Sequence, residues 1–420
     1  MKNLLSLSWK SLRNRRISVA LSVTSILISI VLFTGVLYVR SAAQQWFVQT
    51  ISGTDLVVGA RSGPVNLLLY SVFRIGNATN NISWQSYQDI ASDDAVAWTI
   101  PLSLGDSHRG YRVLGTNLDY FRFYRYGEKQ PLAFAAGGPF ADLYDAVIGA
   151  EVADKLHYTL GQTIVLAHGA GKVSFMQHAD KPFRVVGILK RTGTPVDRTV
   201  HVSLEAIEAI HVDWQQGVPL PGQTVSAEQA RHLDLQPKLI TAFLVGLKSR
   251  IETFQLQRAI NEYPDEPLLA ILPGVALAEL WQVLAVMETI LQVIAGFVVL
   301  AGMTGLLITL LSTLNERRRE MAILRSVGAG PAHIFFLFIF EAFWITVFAS
   351  VGALAVLYLT LIIAQPLVQS ATGVLLAVRP LNALEWLLLG TVIVLGSVLG
   401  AVPGVIAYRR ALTDGLTLRV

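Results

Sequence analysis

The fold class of this chain is decided by the stretch Asn315-Glu-Arg-Arg-Arg-Glu-Met-Ala-Ile-Leu-Arg-Ser-Val-Gly-Ala-Gly-Pro-Ala-His-Ile334. All residues from Glu316 to Glu320 carry charge, and a long apolar run lies on each side of the stretch. Because Arg and Lys concentrate on the cytoplasmic side of membrane proteins, we expect a cytoplasmic loop between two membrane spans. Gly328 and Gly330, followed by Pro331, predict that one helix ends here and the next begins.

The composition supports an integral membrane protein. Of the 420 residues, 53% are hydrophobic and 15% are charged, whereas soluble domains carry about 25% charged residues. The net charge of +4 would also fit a nucleic-acid-binding protein. The positive residues, however, lie at the ends of apolar runs, where they orient membrane spans. The chain has no cysteine, which excludes disulfides, thiolate metal ligands and cysteine nucleophiles.

Apolar runs predict four membrane spans. The first, residues 17–39, carries no charge and follows a basic N-terminal segment. A cleavable signal peptide is the alternative, but its apolar region is only about 7–15 residues long. A helix over residues 17–39 would extend roughly 35 Å, enough for a bilayer core of about 30 Å. The predicted segments are a cytoplasmic N-terminus 1–16, a first span 17–39, a stalk and second span 274–314, the loop 315–331, a third span 332–363, an outer connection 364–383, a fourth span 384–408 and a cytoplasmic tail 409–420.

Residues 40–273 differ in character, because apolar residues are dispersed and Gly, Pro, Asp and Asn interrupt them. The pattern predicts a folded α+β domain, which the topology places outside the cytoplasm. The fold class is therefore a four-helix membrane protein with a large extracytoplasmic α+β domain between the first and second spans. Strands are predicted at 55–59, 146–149, 163–167, 183–189, 199–202 and 242–247. Helices are predicted at 151–160, at 203–211 with Ser203 as its N-cap, and from 249 to about 263.

The loop and the span after it also carry a family resemblance. Glu320-Met-Ala-Ile-Leu-Arg-Ser-Val-Gly-Ala329 is followed by the Phe-rich residues 334–340 and by Glu341-Ala342. In this order they resemble the signature of the FtsX/MacB/LolC-like permeases of mechanotransmission-type ABC transporters. A weaker resemblance, to the extracytoplasmic domain of the MacB-like members, rests on Gly149-Ala-Glu-Val-Ala153, Leu160-Gly-Gln-Thr-Ile-Val-Leu166 and Val185-Val-Gly-Ile-Leu189.

The resemblance implies that residues 315–331 form a coupling helix that docks on a separate cytoplasmic ABC ATPase subunit. It also implies a second permease copy, with the dimer embedded in the bacterial inner membrane and both termini in the cytoplasm. Whether the two copies are identical stays open. The residues implied in ATPase coupling are Glu316, Arg317, Arg318, Arg319, Glu320, Ile323, Leu324, Arg325, Gly328 and Ala329.

By the same resemblance, ATPase-driven motion reaches the outer domain, which handles a lipoprotein, peptide or small molecule in the periplasm or outer leaflet. The alternative function is an FtsX-like regulator of a cell-wall hydrolase. By the same resemblance, the outer domain of such regulators is much shorter than the one here. A periplasmic partner is compatible with both functions, and a nucleic-acid partner with neither. The substrate, its binding residues and the direction of transport stay open.

The chain itself is predicted to be no enzyme. The only P-loop-like sequence, His168-Gly-Ala-Gly-Lys-Val173, has Leu166 where the motif requires its first Gly and Val173 where it requires Ser or Thr. We therefore expect no cofactor on this chain, and expect ATP and Mg²⁺ to bind the partner ATPase.

Two features inside the predicted spans are candidate functional or packing residues. Glu341 lies about ten residues into the third span, where an ionised carboxylate costs at least ~2.5 kcal/mol unless it faces protein, water or an interface. In one interpretation Glu341 lies near the headgroups and simply pairs with an Arg of the loop. In the other, the same pair forms part of a functional joint between the loop and the span. Gly396, Gly400 and Gly404 repeat every four residues and predict close helix packing, within the chain or across a dimer.

The outer domain holds seven of the eight histidines, which raises the question of a metal site. No pair of them has the spacing of a known metal motif, so we assign no metal ligand, and metal binding stays open. The aromatic-rich residues 111–126 are expected to form domain surface or a partner-facing patch. The seven histidines are His108, His157, His168, His178, His201, His211 and His232.

Overall fold

The structure is a computed structural model that describes residues 15–169, 178–215, 218–219, 225–316, 321, 323, 326, 328–372 and 378–413. These residues divide into two compact units. A helical unit lies within residues 1–42, 285–367 and 376–420, and an α/β unit lies within residues 43–284 and 368–375.

Eleven α-helices lie among the described residues, and Met321, Ile323 and Ser326 are helical as well. Four of the eleven are long and apolar enough to cross a membrane: Arg16–Thr50, Pro273–Glu316, Pro331–Thr372 and Ala383–Thr413. The helices are α1 Arg16–Thr50, α2 Pro64–Ser71, α3 Trp84–Ala91, α4 Asp119–Phe123, α5 Ala150–Leu156, α6 Leu204–His211, α7 Ala227–Ala230, α8 Thr253–Asn261, α9 Pro273–Glu316, α10 Pro331–Thr372 and α11 Ala383–Thr413, with 3-10 turns at Pro195–Arg198 and Arg250–Glu252.

The predicted fold class is confirmed, since four long apolar helices are present and a mixed α/β domain lies between the first and the second. The helices extend past the predicted spans. Hydropathy marks only the part of a helix that suits hydrocarbon, whereas α1 and α9 continue into sequence that belongs to the α/β unit.

Within the helical unit, α1 and α9 are joined by hydrogen bonds as well as by apolar contacts. The Ser29 hydroxyl donates to the Val298 carbonyl at 2.9 Å, and the Ser22 hydroxyl donates to Thr309 Oγ1 at 3.1 Å. Small polar side chains of this kind join helices in lipid, where no hydrophobic force drives helices together. The apolar core shared by the four helices includes Ile26, Ile30, Met303, Leu306, Leu310, Ala342, Ile345, Ala349, Ala353, Leu389 and Val392.

Arg379 ties the start of α11 to α1. Its guanidinium binds the buried Glu385 carboxylate through two nitrogens, at 2.7 and 3.1 Å, and lies 4.4 Å from the centre of the Tyr38 ring. Glu385 also accepts from the Asn382 backbone N–H at 2.8 Å, while the Asn382 side chain accepts from the Glu385 N–H at 2.9 Å. This reciprocal pair is a capping box, so one carboxylate both starts the helix and holds the arginine.

The three glycines of α11 face α10, so their repeat is used for packing within the chain. A Cβ added at Gly396 would lie 2.2 Å from Thr346 Cγ2. One added at Gly404 would lie 2.9 Å from Phe335 Cδ2. Gly400 lies between them and comes closest to the backbone of α10, since a Cβ added there would lie 2.8 Å from the Phe338 carbonyl oxygen. The repeat therefore lets the two helices come nearer than any side chain would permit.

The α/β unit is built on one large sheet. Among the described residues, eleven strands form it in the order β17-β1-β16-β3-β4-β12-β8-β11-β7, with β10 beside β3 and β9 beside β11. The strands are β1 Leu56–Ala60, β2 Ile82–Ser83, β3 Val96–His108, β4 Tyr111–Thr116, β5 Arg125–Tyr126, β6 Gln130–Pro131, β7 Phe134–Gly137, β8 Asp145–Ile148, β9 Thr163–Ile164, β10 Ala167–His168, β11 Phe183–Leu189, β12 Thr199–Ser203, β13 Trp214–Gln215, β14 Val218–Pro219, β15 Leu239–Ile240, β16 Ala242–Leu247 and β17 Leu268–Ile271.

Strand β3 joins the two halves of this sheet. Its first part pairs with β16, from Val96 to Leu102. Its second part pairs with β4, and the register shifts between Leu104 and Ser107. A register shift of this kind is a β-bulge, which bends the strand and re-aims its side chains. Most pairs in the sheet are antiparallel, while β12 with β4 and β11 with β8 are parallel.

Sequence patterns located several strands correctly but missed β3, the strand that joins the two halves of the sheet. Strands β11 and β16 coincide with the predicted residues 183–189 and 242–247. Strand β3 was missed because Pro101 and Gly105 interrupt it, and both residues usually argue against a strand interior. The expectation that residues 111–126 form surface was wrong in part, since Tyr120 and Tyr124 are buried in the core.

Local capping sets the start of α6 and the end of α5. The Ser203 side chain accepts from the Ala206 N–H at 3.1 Å and begins α6, as expected. Helix α5 is shorter than the predicted 151–160, because His157 adopts a left-handed conformation with φ of 55° and ends it.

We predict that Gly400→Leu destabilises the helical unit. A side chain there would meet the Ala342 Cβ at 2.7 Å and the Phe338 carbonyl at 2.8 Å, and backbone cannot rotate away as a side chain can. Overpacking of this kind typically costs about 1–3 kcal/mol. Thermal unfolding of the detergent-solubilised protein measures the effect. Gly390→Leu, in the same helix, is the matched control, because no other group lies within 4 Å of its Cβ position among the described residues. Equal melting temperatures for the two variants would contradict the packing assignment.

Candidate functional site

The predicted coupling segment is described only in part. Arg317, Arg318, Arg319, Glu320, Leu324 and Arg325 lie outside the described residues, and for Glu316 only the backbone, at the end of α9, is described. Their role in ATPase coupling therefore stays a prediction.

Of the described residues of the segment, Met321, Ile323 and Ser326 are helical, and a turn at Gly328 follows them. The Ile323 side chain is 56% exposed, and Ala329 is half-buried. Gly328 has a φ of 93°, in the left-handed region that L side chains rarely adopt. Helix α10 then begins at Pro331, where the fixed φ of proline suits the first helical turn.

Glu341 lies on the inner face of α10. It is 2% exposed and precedes Ala342, the residue that Gly400 contacts. Its predicted partner, an Arg of the coupling segment, lies outside the described residues. The burial agrees with a side chain that faces protein rather than lipid, and the proposed joint between loop and span stays a prediction.

Two of the seven outer-domain histidines are structural. The His108 ring contacts the Val165 carbonyl at 2.7 Å and the Tyr158 hydroxyl at 2.9 Å, so both of its nitrogens are satisfied. His201 is fully buried, with Nδ1 3.2 Å from the Val147 carbonyl. Burial lowers the pKa of His201 to about 3, and it also lowers the pKa of His108. Both rings are neutral core groups at neutral pH.

Three other histidines converge on one buried carboxylate. His168 Nδ1 lies 3.2 Å from Asp106 Oδ1 and 3.1 Å from His211 Nε2. His211 Nε2 in turn lies 3.5 Å from Asp106 Oδ1. With His178, the group offers four ligating atoms that all lie within 4.8 Å of one another. This cluster, Asp106–His168–His178–His211, is named the triple-histidine cluster below.

Regular elements position the cluster. Asp106 lies in the bulge of β3, and His168 is its direct partner across the β3–β10 pair. The His178 backbone N–H donates to the Leu166 carbonyl at 2.9 Å, which holds it beside β10. His211 is the last residue of α6. Strand pairing and a helix end therefore bring together residues that are far apart in sequence.

The charge states in the cluster follow from its surroundings. Burial opposes ionisation of Asp106, but the facing imidazoles of His168 and His211 outweigh burial and lower its pKa to about 2. Burial lowers the pKa of His178 to about 4, so this ring is neutral at pH 7. For His211 burial acts to lower the pKa, and the Asp106 carboxylate reverses the direction and raises it.

A cleft of about 300 Å³ opens beside the cluster. Gly105 and Gly169, which adjoin Asp106 and His168, form part of its lining. Arg74 and Arg112 give the same cleft a basic wall. The Arg112 guanidinium donates to the Asn77 side chain at 3.0 Å and is thereby fixed in place.

Sequence reasoning missed the triple-histidine cluster because it looked for ligands close together in the chain. No short spacing links these four residues, and the pairing of β3 with β10 is what joins them. One signal was present in the sequence. Gly105-Asp106 is a Gly next to an acidic residue within an otherwise strand-compatible run, and an isolated strand Gly often marks a bulge near a ligand.

Comparisons with known proteins agree with the architecture. Residues 19–263 match the family model of the MacB-like periplasmic core domain, and residues 292–413 match that of the FtsX-like permease C-terminal domain. No curated protein matches the chain.

Two solved structures are similar to part of the chain. One is the periplasmic region of MacB from Actinobacillus actinomycetemcomitans, at 10% identity and a TM-score of 0.32, covering 54% of this chain and 92% of that one. The other is the extracellular domain of the noncanonic ABC-type transporter YknZ from Gram-positive bacteria, at 13% identity and a TM-score of 0.31, covering 52% and 99%.

The first family model alone covers more than half of the 420 residues. The second covers α10, α11 and all of α9 except its first part. FtsX-like permeases are typically non-catalytic membrane subunits, and an ABC transporter permease implies an ATPase partner. The chain therefore belongs to the MacB/FtsX-type family of ABC transporter permeases, in which a MacB-like periplasmic core domain is joined to an FtsX-like permease domain.

Proposed function

We propose that this permease subunit transmits the motion of a cytoplasmic ABC ATPase to its own α/β domain, which acts on a substrate in the periplasm or in the outer leaflet. Lipoproteins, peptides and exported small molecules are the substrate classes that suit such a domain. ATP and Mg²⁺ bind the ATPase, and the permease works as a dimer in the bacterial inner membrane with both termini in the cytoplasm.

The observation that carries the proposal is the continuity of α9. This helix runs without interruption from Pro273 to Glu316, which is 44 residues. At 1.5 Å per residue it is about 66 Å long, roughly twice the thickness of a bilayer core. Residues 273–284 belong to the α/β unit and the following residues belong to the helical unit. A single hydrogen-bonded helix therefore links the α/β domain to the start of the coupling segment.

Helix α9 is anchored within the α/β unit. Ala276 and Leu277 are buried in the same core as Tyr120, and the Trp281 ring lies 5.5 Å from the Phe47 ring of α1 in an edge-on contact. Displacement of α9 along its axis would therefore have to move the core residues around it, because packed interiors transmit strain rather than absorb it.

Helix α1 reinforces α9 along the helical unit. Besides the two serine hydrogen bonds, the Arg40 guanidinium lies 2.5 Å from the Glu288 carboxylate. A pair of helices tied at several points resists bending more than one helix does. The α1–α9 pair is accordingly the transmission element in the proposed mechanism.

Interruption of α9 is expected to uncouple the two units. We predict that inserting Gly-Gly-Ser-Gly between Leu284 and Ala285, both exposed, preserves ATP hydrolysis by the ATPase complex and abolishes the conformational response of the α/β domain. Because the chain has no cysteine, spin labels at Ile251→Cys and Ser326→Cys, introduced into one of the two copies of the dimer, report one intramolecular distance. Without the insertion, trapping the complex in its ATP-bound state is expected to shift that distance, and with the insertion it is not.

The matched control places the same insertion between Glu128 and Lys129, both exposed in the turn that joins β5 to β6. It should leave the nucleotide-dependent distance change intact. A distance change that survives the interruption of α9 would show that another element carries the motion.

Charge reversal in the coupling segment tests the ATPase contact. We expect Arg317, Arg318 and Arg325 changed together to Glu to reduce permease-stimulated ATP hydrolysis at least tenfold, since like charges at an interface repel and cost several kcal/mol. The melting temperature of the permease should not change. The control reverses three exposed cations of the α/β unit, Arg109, Lys129 and Arg258. Stimulation that is equal in both triple variants would argue against the contact.

The predicted topology has its own test. Glu128→Cys in the α/β unit should react with a membrane-impermeant maleimide in intact spheroplasts, whereas Ser326→Cys should react only after permeabilisation. Both side chains are exposed, so a cysteine that does not react with the maleimide is shielded by the membrane and not by burial in the protein. Labelling of Ser326→Cys in intact spheroplasts would exclude the proposed orientation.

The alternative function has a separate test. If the permease activates a co-purifying cell-wall hydrolase and transports no substrate, the assignment as an FtsX-like regulator is favoured.

A further inference from the structure

We propose that the triple-histidine cluster of the α/β domain is a binding site for a divalent transition-metal ion of the zinc class. Its ligands are the Asp106 carboxylate and the imidazoles of His168, His178 and His211. The site goes beyond the proposed transmission of motion, because it is a property of the α/β domain and can be measured on the permease chain without its ATPase.

The spacing of the ligating atoms matches a tetrahedral zinc centre. Zinc binds His nitrogen and carboxylate oxygen at about 2.0–2.2 Å, so the edges of the coordination tetrahedron are roughly 3.3–3.6 Å. The three distances among Asp106 Oδ1, His168 Nδ1 and His211 Nε2 are 3.2, 3.1 and 3.5 Å. Three ligands are thus already at coordination spacing, and the His178 ligating atom lies within 4.8 Å of each.

The tautomer of His211 also suits a metal ligand. Its Nδ1 lies 2.8 Å from the Ile207 carbonyl, and a carbonyl oxygen can only accept, so Nδ1 carries the proton. In the neutral ring Nε2 therefore presents its lone pair to Asp106 and His168. A ring N–H donated to a backbone carbonyl is the usual outer contact of a metal-bound histidine, because it fixes the ring orientation and raises its basicity.

Asp106 supplies the strongest indication of a cation site. The residue is 2% exposed, and its Oδ1 accepts no well-aligned hydrogen bond from any described residue. The two imidazole nitrogens lie within reach of Oδ1, but their contacts lack hydrogen-bond geometry. A buried carboxylate oxygen without a hydrogen bond costs free energy unless a cation compensates it. A metal ion placed among the three atoms would satisfy this oxygen and both rings at once.

The nearby lysine does not serve as that cation. The Lys181 side chain is fully buried, with Nζ 3.1 Å from each Asp213 oxygen and 2.9 Å from Asp180. Two carboxylates therefore already face this one ammonium group. Together with Asp106, three carboxylates and one ammonium group lie in this region. The cluster therefore attracts a further cation.

The same ion pair pre-organises the site. The Lys181 backbone N–H donates to the His178 carbonyl at 3.2 Å, and Asp213 follows His211 by two residues. The buried Lys181–Asp213 pair consequently joins the two segments that carry these histidines. Ligands held by a second layer of contacts lose less conformational entropy when the ion binds.

The ligand set and the access route narrow the identity of the ion. Three imidazoles and one carboxylate suit Zn²⁺, Co²⁺, Ni²⁺ or Cu²⁺, whereas Mg²⁺ and Ca²⁺ prefer oxygen alone. The His168 side chain is 41% exposed, and the cleft lined by Gly105 and Gly169 adjoins the site, so an ion can enter without unfolding the domain. The competing arrangement is a proton on His211 that neutralises Asp106 without any metal.

Cobalt binding distinguishes the two arrangements. The full-length permease, without a polyhistidine tag, is purified in detergent, stripped with a chelator and titrated with Co²⁺. The site is expected to bind one Co²⁺ per chain, with the intense visible d–d absorption of a tetrahedral centre, and Zn²⁺ should displace it. A protonated His211–Asp106 pair would give no such band, and that result would overturn the proposal.

Ligand variants assign the band to the cluster. His168→Ala and Asp106→Asn are each expected to weaken Co²⁺ binding by at least ~100-fold, the upper end of the loss seen on removing an outer-shell partner. His232→Ala is the control, because this histidine is in the same domain and its side chain is 78% exposed. Circular dichroism and the metal-free melting temperature report whether each variant is folded. Asp106→Asn is nearly isosteric, so it decides the matter if His168→Ala does not fold. Equal Co²⁺ affinity in all three variants would place the metal elsewhere and refute the site.

Discussion

The structure depends on one constraint, which is that backbone polar groups inside a bilayer must be hydrogen-bonded within the chain. The four long apolar segments therefore form helices. In α1 and α9 the same hydrogen-bonding pattern continues through residues that belong to the α/β unit. Helix α9 therefore continues from the α/β unit into the helical unit, and its only proline is its first residue, Pro273. The proposed transmission of displacement rests on this continuity.

The α/β domain depends in a similar way on one strand. Strand β3 pairs with β16 over its first half and with β4 over its second half, so it holds both parts of the sheet together. The bulge between these halves turns Asp106 towards β10 and the end of α6. The feature that bends the sheet therefore also creates the triple-histidine cluster. Bulges recur beside functional sites for this reason, since they re-aim a side chain without breaking the strand.

Much of the fold was predictable because its signals are local. The apolar runs predicted four membrane helices, and Gly328 with Pro331 predicted the helix boundary that the structure has. Ser203 predicted the start of α6. Strand β3 was not predictable from the same signals, because Pro101 and Gly105 disfavour a strand and only pairing on both sides overrides that preference. The two histidines His108 and His201 differ from the cluster only in their neighbours, which no spacing rule reveals.

The sequence by itself determined the membrane class, the number of long helices, the presence of a mixed domain between the first two and the residues that resemble a coupling segment. These depend on hydropathy, charge and capping, which act between residues close along the chain. Only the tertiary structure decided that Gly400 faces Ala342 and that Asp106 meets three histidines. Those contacts depend on helix rotation and strand register, which are set by packing across the whole fold and shift every side chain when they change by one residue.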